Sequence, residues 1–262
     1  MTNNPQFQRP SINFRGRKSP LSLTIGILVI LGVVFTAASG FYADWLWFKS
    51  VNFTSTWSTV LGTKAILFVV IGLTTALFVM FNVLLAYKRR PLYVPMTIEA
   101  DNLERYRSQI EPIRRGVFMA GFLALFYFAG TSGSTLWSTW LLFKNSTEFG
   151  VKDPQFNMDI SFFAFRLPFW QTLIGWGITT LVLSIIASVA VHYLYGGIRL
   201  QVREDRTTVA ARVQLSVLLG LVVLLKAVAY WFDRFALALK DSKLITGPVS
   251  YTHLTLPTSD LV

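Results

Sequence analysis

The sequence predicts an all-α protein, a polytopic bundle of about five transmembrane helices with its N-terminus inside and its C-terminus outside. Of the 262 residues, 53% are hydrophobic and only 14% are charged, whereas soluble domains carry about 25% charged residues. The apolar residues form uncharged blocks of about twenty residues or more, the helical length that crosses a hydrocarbon core of about 30 Å. Lys and Arg collect in short segments between these blocks, where membrane topology places them.

Composition argues against several classes of function. The net charge of +11 would suit nucleic acid, but the basic residues lie between apolar blocks, so we expect no nucleic-acid partner. With no Cys and only two His, His192 and His253, we expect neither metal nor cofactor. An enzyme would need a nucleophile with a base, or paired carboxylates in a pocket. The spans hold no Asp or Glu before Asp233. We therefore expect no enzyme and assign no catalytic residue.

The chain is predicted to begin with a basic cytoplasmic tail over residues 1–20, followed by the bundle over residues 21–247. A cleaved signal peptide, with small residues at 37–39, is the alternative for the first apolar block. That block is long for a signal, and the later spans alternate in topology only if it is retained. The spans are predicted near residues 21–43, 65–87, 116–136, 167–195 and 213–237.

The basic residues predict the orientation. Fifteen Lys and Arg fall in the segments assigned to the inside and eight in those assigned to the outside, which favours an inner N-terminus. Two glycosylation-type sequons, at Asn52 and Asn145, both fall outside.

A short surface helix is predicted over residues 101–115 in the second inner segment. Asp101 or Asn102 would cap it, and Pro112 would end or kink it. Its narrow apolar face consists of Leu103, Tyr106 and Ile110. We interpret it as a solvated helix on the inner leaflet, with a specific site for anionic lipids or a partner as the alternative.

The second half of the third span is rich in small and hydroxyl residues, namely Gly130, Thr131, Ser132, Gly133, Ser134 and Thr135. Such residues let helices pack closely and hydrogen-bond in lipid. Packing is the favoured interpretation, and a water-lined path is the alternative. His192, near the inner end of the fourth span, is interpreted as an interfacial packing residue.

Residues 153–170 predict an aromatic collar at the membrane surface, with Pro168 in the first turn of the fourth span. Asp153 and Asp159 could ligate a cation. Asp before Pro and Asp before an Ile-Ser-Phe-Phe run are more typical of a turn and of a helix cap.

Lys226 is the sharpest single candidate for a functional residue, because ionisable side chains within spans usually face a cavity or a partner. Asp233 lies seven residues further on the same helix face, about 10 Å along the axis. The plain interpretation is snorkelling, or pairing with a carboxylate in further spans, and an ion or substrate path is the alternative.

A tandem hairpin repeat is a further hypothesis. The outer ends at residues 45–49 and 140–144 look alike, and spans two and four share Gly-x-Thr-Thr at 72–75 and 177–180. Transporters often use such repeats, although independent aromatic belts would look the same.

The collar resembles the signature of a family of bacterial multi-pass membrane proteins, uncharacterised protein family number 0182. The residues that carry the resemblance are Asp153, Pro154, Phe156, Asp159, Phe162, Phe165, Leu167, Pro168 and Phe169. Residues 44–48, 103–107 and 230–234 also look like the family, so the resemblance covers about 20–247.

The resemblance implies about seven N-terminal spans followed by a large extracytoplasmic domain, so the chain looks like an N-terminal fragment. The family has no established activity, and no site residue is carried over. We interpret residues 248–262 as a non-native or truncated tail and build nothing on His253.

The sequence thus predicts a multi-pass protein of the cell membrane. Its most fitting role is the membrane-anchoring part of a larger bacterial cell-envelope protein, with the lipid bilayer as partner and anionic lipids at the inner loops. The alternative is a component of a transporter or channel that uses Lys226 and the hydroxyl-rich part of the third span.

Overall fold

The computed structural model describes residues 20–91, 98–199 and 206–237, and these are helical apart from loops and two isolated bridges. The described α-helices are α1 (Pro20–Ser50), α2 (Thr54–Lys88), α3 (Ile98–Ile110), α4 (Arg114–Ser134), α5 (Trp137–Lys144), α6 (Leu167–Leu194) and α7 (Val209–Ala236). A 3-10 turn, Glu111–Ile113, joins α3 to α4, and a π-helical turn, Phe162–Arg166, leads into α6.

Five helical stretches in the described part are long and apolar enough to cross a membrane. They are Thr24–Ser50, Thr54–Lys88, Leu103–Ser134, Phe162–Leu194 and Val209–Ala236. The prediction of an all-α protein with five spanning helices is therefore confirmed. Which end lies inside stays a prediction. The predicted N-terminal tail, residues 1–20, lies outside the described residues except for Pro20. The predicted C-terminal tail, residues 248–262, which includes His253, also lies outside them.

The chain divides into two units, residues 1–59 and residues 60–262. In the first unit, the turn after α1 places Asn52 in the left-handed region at φ 58°, and the Phe53 N–H donates to the Phe48 carbonyl at 2.9 Å. The two hairpins of the repeat hypothesis differ in their connections. Three residues connect α1 to α2, whereas α5 and the collar loop connect α4 to α6. The tandem repeat stays a prediction.

In the second unit, α3 begins at Ile98, so Asp101 and Asn102 lie inside the helix. The prediction that one of them caps it was wrong, because the helix starts at Ile98, about one turn before these two residues. Pro112 lies in the 3-10 turn after α3, where its missing N–H interrupts the α-helical hydrogen-bond pattern.

Helices α2 and α4 approach each other closely at glycines. A Cβ on Gly72 would lie 2.6 Å from the carbonyl oxygen of Phe126, and a Cβ on Gly133 would lie 2.6 Å from the Ile71 Cβ. The hydroxyls of this part of α4 bond to their own helix: Thr131 donates to the Phe128 carbonyl at 2.9 Å. Close packing is thus what the structure shows for the small residues of this span.

The collar forms a well-packed core at one end of the α6–α7 pair. Phe163, Leu167 and Phe235 are its buried members. Packed against them are Phe156, Met158, Phe162, Phe232 and Ala236. Because Phe232 and Phe235 belong to α7, this aromatic core ties the segment before α6 to the last turn of α7.

Gly133→Ala is expected to lower the free energy of unfolding by about 1–3 kcal/mol, because the new methyl group would push α4 away from Ile71. The matched control is Gly121→Ala on the same helix, where the added Cβ would meet only a methionine methyl, from Met80, at 3.9 Å. Detergent-induced unfolding of both variants measures the difference. Equal stabilities would contradict the close glycine contact.

Candidate functional site

Polar side chains that are buried between spanning helices form the most distinctive site in the described part of the chain. We call them the polar cluster, and its members are Asn82 on α2, Thr180, Ser184, Ser188 and His192 on α6, and Gln214 on α7. The α6 members recur every fourth residue, which places them one above the other on a single helix face. Ser184 and Ser188 are completely buried, and His192 is 1% exposed.

Gln214 lies at the centre of the polar cluster and joins three helices. Its Nε2 donates to the Asn82 carbonyl at 2.9 Å and to the Ser188 hydroxyl at 3.2 Å. Its Oε1 lies 3.1 Å from Nε2 of His192. An amide can donate twice and accept twice, so one side chain links α2, α6 and α7.

Nε2 of His192 faces the Gln214 side-chain oxygen, so this ring nitrogen is the one that donates a proton in the hydrogen bond. Its Nδ1 is buried and has no hydrogen-bond partner among the described residues. A Cβ on Gly197 would lie 2.8 Å from Nδ1, so the loop after α6 closes tightly over the ring.

The other end of the polar cluster borders a cavity of about 360 Å³. Thr180 lines this cavity, and its buried hydroxyl has no partner among the described residues. The remaining walls are largely apolar side chains of α2, α6 and α7. Beside it, Trp176 donates from Nε1 to the Thr75 hydroxyl at 2.9 Å. The arrangement suits close helix packing and an apolar guest better than an aqueous path.

A second group of contacts, which we call the arginine–tyrosine cluster, joins the ends of α2, α3, α4 and α6. Its members are Tyr87, Arg90, Arg107, Glu111, Arg114 and Tyr195. The Glu111 carboxylate accepts from the Tyr87 hydroxyl at 2.9 Å, from Arg114 at 2.6 Å and from the Tyr195 hydroxyl at 3.3 Å. Burial, helped by Glu111, raises the pKa of Tyr195.

Arginines close the arginine–tyrosine cluster around the two tyrosine rings. The Arg90 guanidinium lies 4.6 Å from the Tyr87 ring centre and 5.4 Å from that of Tyr195, within cation–π range. Nε of Arg107 donates to the Leu194 carbonyl at the end of α6, at 2.6 Å. Three Arg and one Glu give these six residues a formal charge of +2.

The two collar aspartates bind backbone N–H groups of their own loop. Asp153 accepts from Gln155 and Phe156, at 3.0 and 2.7 Å. Asp159 accepts from three backbone N–H groups, those of Phe149, Gly150 and Ser161, at 3.1, 2.8 and 2.8 Å. Hydrogen bonds from Ser161, then from Phe149 and Gly150, lower the pKa of Asp159 to about 2.

Lys226 and Asp233 lie on the exposed side of α7. Within the described ranges, neither makes a salt bridge. A Lys near the centre of a span costs about 2.5–3.5 kcal/mol on insertion scales. The four predicted site residues do not form one site. Lys226 and Asp233 are exposed on α7, whereas Asp153 and Asp159 stabilise the collar loop.

Sequence reasoning missed the polar cluster. The four-residue spacing from Thr180 to His192 could have been recognised in the sequence. No neighbouring residues indicate that Asn82 or Gln214 packs against this face of α6. The packing role predicted for His192 fits its burial, and its position at the membrane interface stays a prediction. Within the described ranges, no three His, Asp or Glu side chains are close enough to hold a metal ion.

Comparisons with known proteins give a consistent family match. The model of an uncharacterised protein family, UPF0182, matches residues 21–261. A UPF0182 protein of Streptomyces coelicolor is 46% identical over 89% of this chain and 23% of its own length. A UPF0182 protein of Thermobifida fusca is 44% identical over 91% of this chain and 23% of its own length. The chain spans about a quarter of these relatives, and no solved structure matches it.

Gln214→Leu is expected to lower the free energy of unfolding by about 1–2 kcal/mol, because it leaves His192 and Asn82 without their partner in an apolar environment. The control is Thr179→Val on α6, an exposed position whose hydroxyl bonds only to its own helix. Detergent-induced unfolding measures both variants. A Gln214→Leu variant as stable as Thr179→Val would contradict the central role of Gln214.

Asp159→Asn is expected to loosen the collar loop, since an amide binds the three N–H groups more weakly than a carboxylate does. Because the folded pKa is lowered from 3.8 to about 2, the stabilisation is complete above pH 4 and lost as the pH falls through 2.

Pepsin cleavage of the loop in lipid nanodiscs, followed between pH 4 and pH 2, measures this change. The wild type and a Glu148→Gln control should become more sensitive as the pH falls, and Asp159→Asn should be sensitive throughout. A pH profile in Asp159→Asn identical to that of the wild type would contradict this role.

Proposed function

The chain belongs to the uncharacterised protein family UPF0182, and from this premise we propose that it is the membrane-anchoring part of a larger bacterial cell-envelope protein. One observation carries the proposal. The chain matches about a quarter of its relatives' length, and most of its described residues lie in five helices that could cross a membrane. In this proposal, the other three quarters carry the activity and the chain holds them at the cell membrane.

The packing of the described helices supports an anchor over a catalyst. The polar cluster contains no carboxylate, and its central amide is used in joining helices. Asp153 and Asp159 bind their own loop. We accordingly propose that this part of the protein is not an enzyme.

Anionic lipid headgroups are the proposed partners of the arginine–tyrosine cluster. Its formal charge is positive, and Lys88, Arg89, Arg105 and Arg115 lie close by in sequence. Basic residues next to spanning helices attract anionic lipids. Stacking of Arg90 on two tyrosine rings would fix one such charge at the membrane surface.

The alternative is a component of a transporter or channel. The exposed Lys226 favours it, because an unpaired charge within a span often marks a transport path. The hydroxyls of the third span argue against it, since Thr131, Ser134 and Thr135 donate to carbonyls of their own helix. The anchor therefore accounts for more of the described residues.

Reporter fusions test the anchor and its orientation. Alkaline phosphatase, which is active only outside the cytoplasm, is expected to be active when fused after Ser146 or Leu237 and inactive when fused after Lys88 or Arg199. All four fusions should resist carbonate extraction from the membrane. Release by carbonate would contradict the anchor, and a reversed activity pattern would contradict the orientation.

An antibody against the collar loop tests whether the native protein is larger. It should detect a membrane product about four times as long as this chain, the ratio that the relatives indicate. A native product of this chain's own size would overturn the proposal.

A further inference from the structure

Helix α7 carries an exposed stripe in which most residues are polar. The stripe, which we call the α7 seam, consists of Arg212, Ser216, Leu219, Val223, Lys226, Tyr230 and Asp233. Every member is exposed, and Leu219, Val223 and Tyr230 are 59%, 62% and 70% exposed. The spacing alternates between three and four residues, which is the spacing of a helix-packing seam.

The inward side of α7 is already occupied. Ala211, Gln214, Leu218 and Phe235 are buried there. Apart from Gln214, Trp231 and Arg234, the charged and hydrogen-bonding side chains of α7 all lie on the α7 seam. A helix that faced only lipid on this side would carry its polar residues towards the protein interior instead. The α7 seam therefore has the composition of a surface that packs against protein.

Snorkelling does not explain Lys226 well. The residue lies ten positions before Ala236, about 15 Å from the C-terminal end of the helix, and seventeen positions after Val209, about 25 Å from the N-terminal end. Helical side chains tilt towards the N-terminus of their helix. The Lys226 stem thus starts out towards the more distant end, away from the nearer membrane surface.

A second copy of the chain is also a poor occupant. In a dimer about an axis along the membrane normal, each seam residue faces its own counterpart at the same depth. Lys226 would then lie against Lys226, and two like charges in an apolar environment repel. Charge complementarity instead requires a carboxylate at the depth of Lys226.

We propose that the α7 seam is the docking surface for a further spanning helix of the same longer protein, one that carries an Asp or Glu paired with Lys226. This inference rests on the proposed function, because the occupant belongs to the three quarters of the family's length that this chain does not cover. The described residues place no carboxylate at salt-bridge distance from Lys226.

Photocrosslinking in the full-length protein, in its native membrane, tests the proposal. Benzoylphenylalanine at Val223, on the α7 seam beside Lys226, should crosslink to a peptide from a later spanning helix that contains an acidic residue. Val217 is the matched control, since it is 58% exposed but lies off the seam. It should give mainly lipid adducts. At Val223, lipid adducts alone, a crosslink to the same position of a second copy, or a helix without a carboxylate would each overturn the proposal.

Charge exchange gives the second readout. Lys226→Glu should reduce the amount of folded full-length protein by at least about tenfold, since it places two carboxylates together in an apolar environment. Changing the crosslinked acidic residue to Lys should restore that amount in the double variant. Leu224→Glu, off the seam, controls for a new charge and should not be rescued. No rescue of Lys226→Glu would overturn the pairing.

Failure of this inference differs from failure of the anchor proposal. A full-length product with lipid adducts at Val223 would leave the anchor intact and remove the docking surface. A native product no longer than this chain would remove both.

Discussion

The structure depends on one constraint: inside a bilayer, a polar group must find its partner within the protein, because no water is at hand. Gln214 meets this constraint for three helices at once. Its amide satisfies a backbone carbonyl of α2 and two side chains of α6. If α6 or α7 rotated or slid by one residue, these hydrogen bonds would break. The polar cluster therefore defines the register between the helices more precisely than apolar packing could.

Two other groups of contacts stabilise the second unit at different positions along its helices. Gly72, Gly130 and Gly133 allow α2 and α4 to approach until their backbones touch, which maximises dispersion contacts where the hydrophobic effect between helices is weak. At the helix ends, Glu111 gathers two tyrosines and an arginine from separate elements. Close backbone contact, buried hydrogen bonds and a charged surface cluster thus stabilise different levels of one bundle.

Much of this fold could be predicted from the sequence because spanning helices are marked locally. Uncharged blocks reveal the spans, and Pro112 marks the break between α3 and α4. The candidate site is different. Asn82 and Gln214 are 132 residues apart, and each is ordinary in its own helix. Their pairing depends on how α2 and α7 pack, which no periodicity expresses. The start of α3 at Ile98 was missed because acidic residues suit the first turn as well as the cap.

The π-helical turn at Phe162–Arg166 links two surfaces with different requirements. Near its start, Phe163 must reach the aromatic core, and after it, Ser184, Ser188 and His192 must face Gln214. A π-helical turn holds one residue more than an α-helical turn, and each residue rotates a helix by about 100°. Deleting a single residue here would therefore rotate either the aromatic core residues or the polar face of α6 away from the residues that they contact. During evolution, this stretch should therefore accept exchanges of one side chain for another far more readily than any change in its length.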